Sequence, residues 1–265
     1  MNRGIAVGLS LPIALVLLGS GRADAGSSTP AVAVAPPATP VIVGDSVPAS
    51  SVERSVSDAL AAIAPHVTRS SHPDALRLAF VAYFRYRDAH PERVRKPYLY
   101  YVDYGLDNRT ARGYVFDMEA QTVLEGPFNV AHGRGSSRGR DGVPTSFSNR
   151  AGSNATSLGL YLTQETYSFS GRSGGRRYTS VGLRLAGLSD GFNDAARRRG
   201  VVTHGAPYVS ARDAGRSEGC PAMEQARARR LLPMIANGAL VFLYSPHDPH
   251  WLGTGPWIRG ATQTS

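Results

Sequence analysis

Apolar residues recur at helical spacing in two early segments of the chain. In residues 52–64 they are Val56, Ala59, Leu60 and Ile63, and in residues 74–87 they are Leu76, Ala79, Phe80 and Tyr83. Positions three and four apart lie on one face of a helix, so both segments are predicted to be amphipathic helices. Pro65 ends the first helix, and Pro73 suits the first turn of the second.

After residue 96 the pattern changes to short β-branched and aromatic runs separated by glycine. These runs predict strands at residues 98–104, 113–118, 122–131, 158–162, 178–185, 201–204 and 239–244. One late helix is predicted at 222–232, where Met223, Ala226 and Leu231 share a face. The predicted fold class is therefore mainly β with flanking helices (α+β), with a block long enough for one substantial core.

The first residues carry the pattern of an export signal. Arg3 precedes an almost wholly apolar run at 4–18, and Ala23-Asp24-Ala25 follows as a small-residue cleavage site. The run is shorter than the roughly 20 residues that span a bilayer. Residues 1–25 are therefore predicted to be a secretory signal peptide, with no stable membrane insertion after its cleavage. An uncleaved anchor is the alternative, and the expected location is the periplasm or cell envelope.

Composition divides the remainder of the chain. Residues 26–50 are rich in Ala, Pro, Ser, Thr and Val and almost uncharged, which predicts an extended linker. We expect a helical segment at 51–92, a β-rich domain at 93–248 and a C-terminal tail at 249–265. The helices alternatively pack on the β-rich block instead of forming a separate domain.

The chain has 29 Lys plus Arg and 20 Asp plus Glu, a formal net charge of +9. For an exported protein the anionic partners within reach are envelope polymers and membrane surfaces, whereas nucleic acid lies in another compartment. Ordinary solubility explains such a charge equally well. The charge is compatible with retention near the wall and names no substrate.

Cys220 is the single cysteine, so it cannot form an intramolecular disulfide. It is an inert buried thiol, an intermolecular disulfide partner or a reactive group. Its loop, Gly215-Arg216-Ser217-Glu218-Gly219-Cys220-Pro221, runs into the helix predicted at 222–232. Pro221 suits the first helical position, which places Cys220 at the N-cap, where the helix dipole favours a thiolate. His204, at the end of a predicted strand, is a candidate base, although by spacing alone a core or surface histidine is the commoner case.

Together, His204-Gly205-Ala206 and Ser217-Glu218-Gly219-Cys220-Pro221-Ala222 resemble the catalytic signature of the L,D-transpeptidase (YkuD-type) superfamily. That signature is a His-Gly element followed by Ser-x-Gly-Cys. Further segments resemble its murein L,D-transpeptidase catalytic domain branch, at residues 130–136, 147–149, 157–161, 183–188 and 191–195. They span roughly residues 97–244 in the expected order.

The resemblance implies a β-sandwich catalytic domain at 93–248 that acts on peptidoglycan stem peptides without a cofactor or metal. Cys220 would attack the carbonyl between the third residue and D-Ala of a tetrapeptide stem, releasing D-Ala and leaving a thioester. An amine from a neighbouring stem would resolve the thioester into a cross-link. By the same match His204 is the base, the Gly205 carbonyl orients its ring, and the N–H groups of Gly219 and Cys220 are candidate oxyanion donors.

The chain departs from the commoner superfamily pattern at two positions. Glu218 stands where histidine is usual, and its carboxylate would raise the pKa of the thiol or bind a substrate amine. Pro221-Ala222 stands where an arginine is usual. Three arginines are candidates for the missing carboxylate clamp: Arg134, Arg184 and Arg216. The predicted substrate-binding set is Ser217, Glu218, Arg216, His132 and Arg134, the last two from the glycine loop at 132–137.

Three other patterns are weaker. Gly171-Arg172-Ser173-Gly174-Gly175 matches the serine hydrolase motif G-x-S-x-G, but a strand is predicted where a nucleophile elbow requires a helix. His247-Asp248-Pro249-His250 offers metal-ligand side chains, with proline inside and no third ligand at a workable spacing. Arg197-Arg198-Arg199 is typical of a solvated face, and a contact with a wall polymer is the less common alternative.

The predicted function is an exported cysteine L,D-transpeptidase. Two alternatives remain open, an L,D-carboxypeptidase that hydrolyses the acyl-enzyme and a catalytically silent peptidoglycan-binding module. The oligomeric state is not predicted.

Overall fold

The computed structural model describes residues 49–138 and 142–261, with no side-chain description for residues 49 and 50. The predicted signal peptide and nearly all of the predicted linker lie outside the described residues. Within the described residues, no helix has both the length and the apolar character needed to cross a membrane.

The two predicted helices are confirmed as α1 (Ala49–Ile63) and α2 (Ala75–Ala89). A 3₁₀ turn, Ala64–His66, ends α1 at the predicted proline. Most of α2 is buried, and Phe80 meets Phe116 of the sheet edge to face at 5.7 Å between ring centroids. Buried residues of both helices belong to the same apolar cluster as those of the sheet. The helices therefore share one core with the strands.

Strands make up most of the remaining elements. The strands are β1 (Tyr98–Asp103), β2 (Gly113–Asp117), β3 (Thr122–Phe128), β4 (His132–Gly133), β5 (Gly159–Ser173), β6 (Arg176–Gly187), β7 (Val202–Ala206), β8 (Arg216–Ser217), β9 (Ala222–Glu224) and β10 (Leu240–Tyr244). The helices are α3 (Ala196–Arg199), α4 (Gln225–Ile235) and α5 (Pro249–Thr254). An eight-stranded sheet has the order β3-β2-β1-β10-β5-β6-β7-β9, and β4 pairs in parallel with β8.

This sheet folds back on itself. Three strands separate β1 from β7 in the sheet order, yet the hydroxyl of Tyr100 on β1 lies beside Thr203 on β7. The two halves of the sheet therefore face each other across a buried layer, as in a sandwich. The predicted class, mainly β with flanking helices, is confirmed.

The hairpin formed by β5 and β6 is longer than its apolar pattern indicates. The strand predicted at 158–162 extends to Ser173, because its outer half is paired along its whole length with β6 while its side chains are polar or half-exposed. Gly174 and Gly175 make the turn with φ of 54° and 77°. The serine hydrolase alternative is therefore wrong, since its serine ends a strand that enters a hairpin.

The predicted position of Cys220 at a helix N-cap is also wrong. Residues 222–224 form β9, which pairs in parallel with β7 so that Ala222 lies opposite His204, and α4 begins only at Gln225. The backbone N–H of His204 donates to the Pro221 carbonyl at 3.4 Å. Strand pairing holds the residues after Cys220 extended, so the dipole of α4 does not act on the thiol.

The segment after residue 248 packs on the core. The Asp248 carboxylate accepts the N–H of Trp251 at 2.9 Å and caps α5, with Pro249 in the first turn. Trp251, Ile258 and Ala261 are buried. Part of the predicted tail thus covers the apolar cluster.

Candidate active site

A tight turn presents Cys220. The hydroxyl of Ser217 accepts the Gly219 N–H at 3.2 Å and donates to the Cys220 carbonyl at 2.6 Å. Gly219 has φ +122°, and a Cβ there would lie 2.9 Å from the Ala155 carbonyl oxygen. Only glycine fits such a position without strain. Because Ser217 is buried and both of these hydrogen bonds lie within the turn, its side chain holds the shape of the loop.

Cys220 is a neutral thiol at rest. Its Sγ lies 4.0 Å from the Gly200 carbonyl oxygen, and the residue is half-buried. Burial raises the pKa of the Cys220 thiol above its ordinary value, opposed by the Val202 backbone N–H and the Arg199 charge and reinforced by Glu218. The reactive thiolate must therefore be made by a base during the reaction.

His204 on β7 has the features of such a base. A carbonyl only accepts, so its contact with Gly205 at 3.0 Å assigns the proton to Nδ1 and leaves the Nε2 lone pair available. The imidazole stacks on Phe169, with ring centroids 4.0 Å apart. Burial lowers the pKa of His204 to about 4, against the Gly205 carbonyl, which raises it. The ring is neutral at pH 7, as a base must be.

Cys220 and His204 line one cleft of about 810 Å³. In the described part of the chain no hydrogen bond joins their side chains, as is common in ligand-free active sites. The cleft is strongly cationic, for its described lining includes six arginines: Arg134, Arg172, Arg177, Arg198, Arg199 and Arg216. Glu218 is the one carboxylate among its described lining residues, and its Oε1 lies 3.2 Å from Nη2 of Arg134.

The structure separates the predicted substrate-binding residues. Arg134, Arg216, Ser217 and Glu218 line the cleft. Arg184, a candidate carboxylate clamp, instead pairs with Glu165 at 3.0 Å and does not belong to the lining.

His132 is buried and does not belong to the cleft lining. Its Nδ1 accepts from Arg112 at 2.9 Å, its Nε2 lies 2.9 Å from the Ser137 hydroxyl, and the residue has no exposed surface. Burial first, and then the Arg112 charge, lower the pKa of His132 to about 3. Direct contact of His132 with a substrate is therefore not supported. Its place on β4, opposite Arg216 of β8, gives it a supporting position.

The sequence did not identify Arg199 or three aromatic side chains as part of the cleft. Arg197 matches the solvated face predicted for 197–199, since it bonds Gln164 outside the cleft. Arg199 instead points into the cleft, where it donates hydrogen bonds to residues 148–157, and Gly200 ends α3 in the left-handed conformation. The aromatic wall comprises Phe169, Tyr178 and Tyr208. No signal in the sequence singled out Arg199. Phe169 lies in the part of β5 beyond the strand predicted at 158–162, whereas Tyr178 begins the strand predicted at 178–185.

A family model described as L,D-transpeptidase catalytic domain matches residues 68–244, more than half of the chain. This chain belongs to that L,D-transpeptidase family. The family acts on peptidoglycan peptides, and its model covers the strands from β1 to β10 together with α2. A comparison with curated proteins found no match.

Solved structures of L,D-transpeptidases from three bacteria are similar to this chain. One from Mycobacterium smegmatis has 15% identity, covers 56% of this chain and 58% of its own, and has a TM-score of 0.35. One from Stackebrandtia nassauensis has 15% identity, coverage of 66% and 69%, and a TM-score of 0.33. L,D-transpeptidase 3 from Mycobacterium tuberculosis has 12% identity, coverage of 56% and 61%, and a TM-score of 0.36. The match thus spans less than two thirds of the first of these proteins.

Proposed function

We propose that this chain is an exported cysteine L,D-transpeptidase that acts on peptidoglycan stem tetrapeptides. The observation that carries the proposal is that Cys220 and His204 line one cleft, with Nδ1 of His204 bonded to the Gly205 carbonyl. A nucleophile, a base and a group that orients the base are the parts that acyl transfer requires.

The reaction follows from the resting protonation states. Nε2 of His204 takes the thiol proton as the Cys220 sulfur bonds to the carbonyl carbon between the third residue and D-Ala. The C–N bond then breaks, the imidazolium returns the proton to the departing amine, and D-Ala leaves a thioester behind. An acceptor amine loses a proton to His204, bonds to the thioester carbonyl and releases the sulfur. The thiol and the neutral imidazole are thereby restored.

The turn supplies donors for the oxyanion. The N–H of Gly219 is one candidate, and in the resting turn it donates to the Ser217 hydroxyl at 3.2 Å. A substrate oxygen must compete with that hydroxyl, whereas the Cys220 N–H carries no such bond among the described residues. Oxyanion stabilisation therefore rests first on the Cys220 N–H.

The charges of the cleft fit the two substrates differently. Stem peptides carry carboxylates, and arginine pairs with carboxylates through two parallel hydrogen bonds. Residues 148–157 bind the guanidinium of Arg199, and the other five lining arginines suit the carboxylates of the donor stem. The acceptor enters as an amine, for which Glu218 offers the one counter-charge in the described lining.

Intact-protein mass spectrometry after incubation with a carbapenem tests the nucleophile. The wild-type protein should gain one adduct, and Cys220→Ala should gain none. A wild type without an adduct, or an adduct that persists on Cys220→Ala, would overturn the assignment. Ser210→Ala, an exposed serine outside the cleft lining, is the matched control and should acylate as the wild type does.

Product analysis separates transfer from hydrolysis. Purified disaccharide-tetrapeptides should yield cross-linked dimers with release of D-Ala. Tripeptides alone would show an L,D-carboxypeptidase, and unchanged tetrapeptides a binding module. Export is tested by N-terminal sequencing of the mature protein, which should begin at Gly26.

A further inference from the structure

Arg199 stands out because its guanidinium is fixed by one segment of chain. It donates to the carbonyl oxygens of Ser148 at 2.8 Å and Ala155 at 3.0 Å. It also donates to the hydroxyls of Ser153, at 3.1 Å, and Ser157. Four of the five donor hydrogens of a guanidinium are thereby engaged. Arg199 thus ties the end of α3 to residues 148–157.

None of these acceptors carries a charge. Among the described residues no carboxylate pairs with Arg199, although other arginines do pair, such as Arg184 with Glu165. A positive charge that is solvated only by carbonyl and hydroxyl dipoles keeps its field. The half-buried position of Arg199 weakens screening by water, so this field acts within the cleft.

The segment that Arg199 holds is the wall of the Cys220 turn. A Cβ on Gly219 would lie 2.9 Å from the Ala155 carbonyl oxygen and 3.8 Å from Nη2 of Arg199. Immediately after Arg199, the Gly200 carbonyl faces the Cys220 sulfur at 4.0 Å. The guanidinium therefore lies next to the turn and fixes the surface on which the turn packs.

Most titratable groups near the Cys220 sulfur are neutral at pH 7, whereas Arg199 is charged. The titratable groups near the sulfur are Arg199, Glu218, the imidazole of His204 and the hydroxyls of Tyr104, Tyr161, Tyr167, Tyr178 and Tyr208. The tyrosines and the imidazole are neutral at pH 7. Arg199 and Glu218 are the two charges that shift the pKa of the Cys220 thiol, in opposite directions, and Glu218 is the more exposed. The other charged residues of the described cleft lining are Arg134, Arg172, Arg177, Arg198 and Arg216.

We propose that Arg199 is a positioning residue whose fixed charge stabilises the negative charge that forms at Cys220 and whose hydrogen bonds hold the wall of the turn. Attack on a substrate moves negative charge first to the sulfur and then to the carbonyl oxygen, and a cation that is already in place favours both. The proposal rests on the proposed function for its catalytic meaning. The effect of the Arg199 charge on the pKa of the Cys220 thiol does not depend on that function.

The test is the pH dependence of alkylation by iodoacetamide, which reports the thiol directly because Cys220 is the single cysteine. Arg199→Gln should raise the apparent pKa of Cys220 by about one unit. Glu218→Gln should lower it. Arg197→Gln, on the same helix but outside the cleft, is the matched control and should leave it unchanged. An Arg199→Gln profile that coincides with the wild type in a folded protein would overturn the electrostatic part.

Arg199→Lys separates charge from positioning. Lysine keeps the charge but cannot span four acceptors. The alkylation profile should remain near that of the wild type, while carbapenem acylation should fall about tenfold. A lysine variant that acylates at the wild-type rate would overturn the positioning part, and this measurement decides if Arg199→Gln does not fold. Alkylation needs no wall substrate, so a wild type that forms no carbapenem adduct would refute the proposed function while the Arg199 charge effect is still measured.

Discussion

His132 and His204 are both buried imidazoles, but their surroundings differ in two respects. His132 has both nitrogens occupied, by Arg112 and Ser137, and lies outside the cleft lining. His204 has only Nδ1 occupied, by the Gly205 carbonyl, and its ring lines the cleft. Burial lowers the pKa of both, to about 3 and about 4. A neutral imidazole is therefore common to the two sites, and an unoccupied nitrogen facing the cleft distinguishes the base.

The largest effect is expected for His204→Ala. Acylation by a carbapenem should slow by about a hundredfold or more, because His204 is the one histidine in the described cleft lining that can take the thiol proton. Stopped-flow or time-resolved mass measurement gives the rate. His66→Ala, which removes an exposed histidine, should leave it unchanged. A His204→Ala rate within tenfold of the wild type would show that the base lies elsewhere.

His132→Ala should act on stability instead. The substitution takes an acceptor from the buried Arg112 guanidinium and leaves a cavity, which costs about 2–3 kcal/mol of the free energy of unfolding. Chemical denaturation measures the cost. The folded fraction should still acylate within tenfold of the wild-type rate. A stable His132→Ala protein that has lost acylation would contradict the comparison, since it would give His132 a direct part in the chemistry.

Acid should weaken the fold through both histidines. In the unfolded chain each has a pKa near 6.5, whereas the native values are about 3 and about 4. Below pH 6.5 the two histidines bind protons in the unfolded state but not in the native state. The free energy of unfolding is therefore highest above pH 6.5 and falls towards pH 4. The loss is roughly 1.4 kcal/mol per pH unit for each histidine. His132→Gln should flatten this dependence in denaturation curves, and an unchanged slope would contradict it.

The low pKa of His204 also determines how the acylation rate falls at acid pH. Acylation should stay constant from pH 7 to about pH 5 and decline only near pH 4, where the imidazole takes a proton. A rate profile in the wild type that declines near pH 6.5 would show a solvated base.

The smallest effect is expected for Phe169→Leu. The leucine removes the ring stacked on His204 while keeping an apolar side chain. An aromatic pair is worth about 0.5–1.5 kcal/mol, so acylation should fall by no more than about tenfold. Phe147→Leu, a phenylalanine outside the cleft lining, serves as the control in the same assay. A larger loss would mean that Phe169 also contacts the substrate.

Local periodicity was enough for the helices and for the class of the fold. Apolar spacing predicted α1 and α2, and the residue types of the signature brought Cys220 and His204 together across separate segments. The outer half of the β5–β6 hairpin was not predictable in this way, because residues 166–173 bury no continuous apolar face and are defined by pairing with residues 176–183. Pairing between strands is a non-local property that single-sequence periodicity does not record.

Non-local contacts also explain why the start of α4 and the place of Arg199 in the cleft were not predicted. Residues 222–224 have helical composition but pair with β7, so tertiary contact overrides propensity there. Arg199 sits in a run of three arginines, and its direction depends on where residues 148–157 pass. No pattern within the run distinguishes it from its neighbours.

The C-terminal segment has a spectroscopic consequence. The chain contains two tryptophans, and both lie in that segment. Trp251 is buried against Phe242, and the indole N–H of Trp257 donates to the Leu188 carbonyl at 2.6 Å. Neither lines the cleft. Tryptophan fluorescence of this protein therefore reports how residues 249–261 detach from the core during unfolding, and it does not sense occupancy of the catalytic cleft directly.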